Sequence, residues 1–257
     1  MHGLLDDYAQ RNALRGIDPR LKLFVGLVSV ITCALSVSIV APMVVAGAMG
    51  FATVYLAKIP RKLYLNLLAV PLAFAALSSA VVALVHGNGP MIFQLYSGLC
   101  IRADGLDLAA LLMARTIGGM SAMFFIALTT PMTEIFSLAQ SLGLPEVATD
   151  LSMLIYRYIF VLTDQALTIH DAQVTRLGYS GFKPSLRSFS MLSSVLFLRA
   201  LDQGERLIIA MDSRCYNGKL EAAGTKARSG QGIAALCLLY AVAVIATAFL
   251  TRDIHLL

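Results

Sequence analysis

Apolar residues fill four stretches of the chain almost without interruption, at about 21–57, 64–85, 107–129 and 231–251. The first stretch is nearly twice the roughly 20 residues that a helix needs to cross a bilayer core. Pro42 falls inside it and divides it into helices over about 21–39 and 42–57, joined by a tight turn. The pattern thus predicts five spans, the third with Pro71 as a point where it can kink. Between the fourth and fifth spans the pattern changes. Residues 130–230 are too polar for an ordinary span and too long for a loop without structure of its own. Their apolar positions recur at helical spacing, which predicts amphipathic helices over 131–142, 146–175 and 185–213. The Gly-Leu-Pro break at 143–145 separates the first two. In the third, Leu186, Phe189, Leu192, Leu196, Leu207 and Met211 form a stripe of the kind that packs one helix on another.

Composition strengthens this reading. The chain is 58% hydrophobic and 14% charged, against roughly 25% charged in an ordinary soluble domain. Mean hydropathy is +0.77. The net charge of +5 would suggest nucleic acid in a soluble protein, but here the basic residues fall where topology needs them. Arg11, Arg15, Arg20 and Lys22 precede the first span, and Lys58, Arg61 and Lys62 follow the second. Arg102 alone lies between spans three and four, ten basic residues lie between Arg157 and Arg228, and Arg252 alone follows the last span. Basic and nearly neutral segments alternate, so the N-terminus and the long insertion are expected in the cytoplasm and the C-terminus outside. The expected fold is an all-α polytopic membrane protein in three parts: residues 1–129 with spans one to four, a cytoplasmic insertion over 130–230, and residues 231–257 with span five.

Candidate chemistry is sparse. The four cysteines and four histidines are scattered, with neither a metal-ligand spacing nor a disulfide framework. No GxxxxGK[ST] occurs, so ATP is not held here by a P-loop. The eleven methionines lie in apolar runs and suit core filling. Arg115 is an arginine inside a predicted span, close enough to the outer end to snorkel outward or to take a structural partner. A self-contained permease using Arg115 would find few other polar groups in the spans: Asn66, Ser78, Ser79 and Thr116. The tetrapeptide GYSG at 178–181 matches a pattern of intramembrane serine proteases. Ser180, however, lies in a polar turn, with His170 on the preceding helix and His255 beyond the last span.

Two arginine-bearing turns stand out within the insertion. TRLGYSG at 175–181 closes one predicted helix, and SRCYNG at 213–218 closes the next. Thr175 and Arg176 end the first helix, where Gly178 or Gly181 can take a left-handed C-cap conformation. Ser213 and Arg214 end the second, followed by Cys215 and the turn-forming pair Asn217–Gly218. An arginine at a helix C-terminus is favoured by the helix dipole, so each turn can be an ordinary cap. The alternative is a paired docking device, because a guanidinium fork matches carboxylates across an interface.

With these residues the chain resembles the transmembrane (T) component of energy-coupling factor (ECF) transporters, in the CbiQ branch associated with cobalt or nickel uptake. The resemblance runs over essentially the whole chain. RGIDPRLKL at 15–23 is similar to the family's approach to the first span, and TTPMTEIFSLAQSLGLP at 129–145 with IYRYIFVL at 155–162 to its mid-chain signature. GERLIIAMDSRCYNG at 204–218 is similar to its second coupling motif, and TRLGYSG to its first. The family's alanine–arginine–glycine core reads Thr175–Arg176–Leu177 and Ser213–Arg214–Cys215 here, so both arginines are kept and both flanking small residues are replaced. The resemblance implies a scaffold in the plasma membrane of a bacterium or archaeon. It would link a membrane substrate-binding (S) subunit to two cytoplasmic ATPases, with ATP and Mg on the ATPases and no cofactor on this chain. Arg176 and Arg214 would dock into acidic grooves of the ATPases, supported by Thr175, Gly178, Gly181, Ser213, Cys215 and Gly218.

Overall fold

The computed structural model describes residues 8–10, 12–85, 91–96, 99–216 and 231–251. The described chain is built almost wholly of helices, in two compact units. One comprises Met1–Ile135 with Thr225–Leu257, the other Phe136–Gly224.

The first unit holds α1 (Pro19–Leu35), α2 (Val40–Phe51), α3 (Arg61–Val85), a hairpin, α4 (Ala103–Thr129) and, at the chain's return, α8 (Gln231–Leu250). Asp18 and Pro19 start α1 for local reasons. The Asp18 carboxylate accepts a hydrogen bond from the Arg20 amide at 3.0 Å, and proline is pre-set for the first helical position. The helix stops at Ser36, before the point expected from apolar content alone. Here the Ser36 hydroxyl donates to the Ser38 carbonyl at 2.8 Å, and the Val40 amide donates to the Ser38 hydroxyl at 3.3 Å. These local bonds hold a turn where the apolar run continues. Pro42 then sits in the first turn of α2 and is tolerated there. α2 ends in a π-helical turn over Ala52–Leu56, and Lys58 (φ +57°) reverses the chain.

Three helices are long and apolar enough to cross a membrane by length and composition, over Arg61–Leu84, Asp104–Thr129 and Gly232–Leu250, and Val40–Leu56 is a shorter apolar helical stretch. Pro71 lies inside α3 without ending it. One element departs from the all-helical expectation. Met91–Tyr96 (β1) and Leu99–Arg102 (β2) pair antiparallel, with Met91 opposite Arg102 and Tyr96 opposite Leu99. The segments MIFQLY and LCIR are rich in aromatic and β-branched residues, which fit a pleated pair better than a helix.

α4 packs against α1, α2 and α3, and α8 packs on α1 and α2. The core between them is Val25, Cys33, Val45, Met49, Ala122, Phe125 and Val244. Contact is close because small residues stand at the crossings. A Cβ on Gly118 of α4 would lie 2.6 Å from the Pro42 carbonyl oxygen and 2.8 Å from Cys33 Sγ. Outward faces are apolar: Val70, Phe74, Leu77 and Val81 line one side of α3 in the open. Such a surface suits hydrocarbon rather than water.

Many polar side chains in this unit bond to backbone. Arg115 Nε and Nη2 donate to the Ser36 carbonyl at 2.9 and 2.5 Å, so its guanidinium caps the C-terminal end of α1. Thr32, Thr53, Thr116, Ser121 and Thr129 each donate a hydroxyl to the carbonyl four residues earlier. Lys22, only 4% exposed, donates to the Thr129 carbonyl at 3.2 Å, and its Nζ lies 3.9 Å from Glu134 Oε2. Asn12 Nδ2 reaches the Leu128 and Thr129 carbonyls at 3.2 and 3.1 Å. The end of α4 is therefore capped by side chains from the start of the chain. Burial pushes the Glu134 carboxyl above its ordinary range, and Lys22 pulls it back.

The second unit is simpler. α5 (Met132–Ser141) leads into it, followed by α6 (Glu146–Thr175) and α7 (Phe182–Asp212), which pack on each other. At a rise of 1.5 Å per residue, α6 and α7 are about 45 Å long. On the α7 stripe, Leu192, Leu196, Leu207 and Met211 are half-buried, whereas Leu186 and Phe189 are exposed.

Candidate functional site: two arginine turns

The chain ends three helices of the second unit with one hydrogen-bonded turn. After α5, the Leu144 amide donates to the Ala139 carbonyl at 3.2 Å and the Gly143 amide to the Gln140 carbonyl at 3.1 Å. After α6, the Gly178 amide donates to Gln173 at 2.9 Å and the Leu177 amide to Val174 at 3.0 Å. After α7, the Tyr216 amide donates to Met211 at 3.1 Å and the Cys215 amide to Asp212 at 3.0 Å. Each is a Schellman closure, in which one residue takes the left-handed conformation so that two terminal carbonyls find donors. The left-handed residues are Gly143 (φ +102°), Leu177 (φ +56°) and Cys215 (φ +56°).

In the first arginine turn, neither Gly178 nor Gly181 takes the left-handed conformation expected of one of them. Leu177 and Cys215 take it themselves, because the position is fixed by counting from the last helical carbonyl. Gly178 serves close approach instead. A Cβ there would lie 2.6 Å from Ser188 Oγ and 2.9 Å from the Gln173 carbonyl oxygen. Gly181 is extended (φ −174°) and starts α7, where its carbonyl accepts the Ser185 amide at 2.9 Å and the Ser185 hydroxyl at 2.7 Å. Gly218 and the Asn217–Gly218 turn lie outside the described residues.

Arg176 and Arg214 occupy the same place in the two turns, one residue before the left-handed residue, and both are exposed. The hydroxyl residue before each arginine bonds within its own helix: Thr175 Oγ1 to the Ala172 carbonyl at 2.9 Å, and Ser213 Oγ to the Ile209 carbonyl at 2.8 Å. Both hydroxyls are therefore satisfied within their own helices. The first turn is further tied to the start of α7. Gln173 Nε2 donates to the Ser188 carbonyl at 3.0 Å, Ser188 Oγ to the Gly178 carbonyl at 2.9 Å, and the Tyr179 hydroxyl to Gln173 Oε1 at 2.9 Å. This network was not legible from the sequence, since each partner is an ordinary polar residue at ordinary spacing. It ties the turn that carries Arg176 to the first turns of α7.

The other candidates resolve differently. Arg115 is engaged by the Ser36 carbonyl. Ser180 sits in the exposed first turn; His170 Nδ1 lies 3.5 Å from the Asp171 carboxylate, and its ring is 4.9 Å from that of Tyr179. His255 lies outside the described residues. Among the described residues no three His, Cys, Asp or Glu side chains gather as a metal site.

Three helices long and apolar enough to cross a membrane, with hydroxyls inside them bonded to their own backbone, describe a multi-pass membrane protein. Residues 10–223 match the family model CbiQ, described as cobalt transport protein. The chain belongs to the CbiQ cobalt transport protein family. It is 42% identical over 219 residues to a Methanocorpusculum labreanum protein named as a fused cobalt transport protein CbiMQ, covering 84% of this chain and 37% of that one. The chain thus spans little more than a third of that relative's length. It is 34% identical over 257 residues to an uncharacterized protein of Methanocaldococcus jannaschii, covering 99% and 96% of the two chains. At 26% identity over 91% of its length, it also matches 31% of a Bifidobacterium longum protein named as an ABC transporter ATP-binding protein.

Proposed function

We propose that this chain is the energy-coupling T component of an ECF-type ABC importer for cobalt or nickel ions. Five helices cross the membrane, with α1 and the helix Val40–Leu56 as the short spans, at the lower limit of about 17 residues. The N-terminus is cytoplasmic and the C-terminus outside, as the alternation of basic segments favours. α6 and α7 act as coupling helices in the cytoplasm. Arg176 and Arg214 enter acidic grooves on the two ATPases, where ATP and Mg are bound. Closure of the ATPase pair on ATP moves the two helix ends, and this movement reaches the membrane substrate-binding subunit through the spans.

The observation that carries this reading is the duplicate geometry. Two arginines stand at the same position of the same turn, at the ends of two successive helices of 30 and 31 residues. A single cap needs no such repetition, whereas two similar ATPase subunits call for two similar plugs. The relatives named for fusion to CbiM and for an ABC ATP-binding protein support the choice of partners. Replacing Arg176 or Arg214 by glutamate is expected to strip the ATPases from the affinity-purified complex while the chain still inserts and folds. Co-purification measured by gel densitometry checks this, and undiminished ATPase recovery would refute it. The hydrogen bonds of Arg115 to the Ser36 carbonyl support a structural role for it over the permease reading.

A further inference from the structure

We propose that Leu177 is an apolar contact to the ATPase groove, so that the two arginine turns dock unequally: the first by charge and apolar burial, the second mainly by charge. This rests on the docking reading of Arg176 and Arg214.

Three turns share one hydrogen-bond pattern, and each needs a left-handed residue. Glycine adopts that conformation freely, and the chain uses it at Gly143. At 177 it uses leucine, whose Cβ crowds the following carbonyl in this conformation. The two hydrogen bonds of the turn offset the strain, but glycine would allow them without it, and the leucine side chain, 75% exposed, gains no burial in return. An exposed apolar side chain on a strained backbone helps neither the turn nor solubility. A large apolar side chain that gains no burial in its own chain, at a position glycine would fill without strain, points to a contact outside the molecule.

The surroundings say what kind of contact. Arg176 is exposed immediately before Leu177, and Phe182, the first residue of α7, is 86% exposed five residues after it. The turn therefore presents a cation with apolar side chains beside it, the mixture that buries well in the centre of a protein interface. The equivalent position of the second turn carries Cys215, with far less apolar surface, followed by a half-buried Tyr216. The occupant proposed for Leu177 is the groove that receives Arg176, since adjacent residues on one turn enter one site together.

The test uses the whole complex of the chain with the ATPase subunits that co-purify with it. Three variants are compared in detergent micelles and in lipid nanodiscs: Leu177→Gly, Leu177→Ala and Cys215→Gly. Leu177→Gly is expected to raise the melting temperature of the isolated chain, because it relieves the backbone, and yet to weaken ATPase binding about tenfold or more. Leu177→Ala keeps the strain and should weaken binding similarly without raising the melting temperature. Cys215→Gly should also raise the melting temperature but weaken binding by about twofold at most. Unchanged binding in both Leu177 variants would overturn the inference. So would a loss confined to nanodiscs, which would place Leu177 against lipid. Arg176→Glu run in parallel separates the two claims: if it releases the ATPase while the Leu177 variants do not, docking stands and the apolar contact falls. If Arg176→Glu also retains the ATPase, the docking reading itself fails.

Discussion

Arg115 shows how a charge within an apolar helix can find a backbone partner. Its guanidinium makes two hydrogen bonds to the carbonyl of Ser36, a group left over where α1 ends. Arg115→Met removes both donors and leaves that carbonyl unpaired. The expected cost is about 1–3 kcal/mol, read as a lower melting temperature of the detergent-solubilised chain. Retention of the ATPases should survive, since the arginine turns belong to the other unit. The existence of a charge in a span was legible in the sequence, but its partner was not. A backbone carbonyl freed by a helix end has no signature in the residue string. The arginine turns teach a related lesson. Arg176 and Arg214 stand out as a pair by their flanks, yet residue type points to Gly178 or Gly181 for the left-handed position of the first turn. The structure assigns it by count from the helix end, which puts it on Leu177 and Cys215.

Helices were legible where period and punctuation agreed. The Gly-Leu-Pro break fixes both the end of α5 and the start of α6, and Glu146–Thr175 runs between the limits expected from it. The end of α1 was not legible, because the apolar run passes through Ser36–Ser38, where side-chain bonds override hydropathy. The hairpin escaped for a different reason: its two strands are short and stand beside a strong helical pattern. Between elements, the small residue at 118 controls how closely α4 approaches the start of α2. Gly118→Leu would drive its side chain into the Pro42 carbonyl and Cys33. A backbone carbonyl cannot step aside as a flexible side chain can, so the helices must separate. A loss of about 2 kcal/mol or more is expected, visible as reduced melting temperature and reduced yield of monodisperse protein. Gly47→Ala in α2, where a Cβ meets nothing within 4 Å, should be silent in the same assay.

At the scale of the whole molecule, the chain falls into two units of different character. Residues Met1–Ile135 with Thr225–Leu257 form the apolar unit, and Phe136–Gly224 form the unit that carries the arginine turns. The proposed topology predicts that single cysteines placed at either end of an otherwise cysteine-free chain label from opposite sides in intact cells. The C-terminal one should react with a membrane-impermeant maleimide from outside, the N-terminal one only after permeabilisation. Labelling of both from the same side would exclude an odd number of spans. The central claim, however, is that Arg176 and Arg214 transmit ATP-driven motion by charge pairing, and a charge swap tests it most directly. ATP-driven cobalt uptake is measured in proteoliposomes holding the complete complex. Arg176→Glu with Arg214→Glu should abolish uptake, as breaking desolvated charge pairs typically costs about 2–5 kcal/mol each. Reversing the facing carboxylates of the ATPase grooves to arginine should restore a substantial part of it. Uptake left intact by the double reversal, at equal amounts of reconstituted complex, would contradict the account.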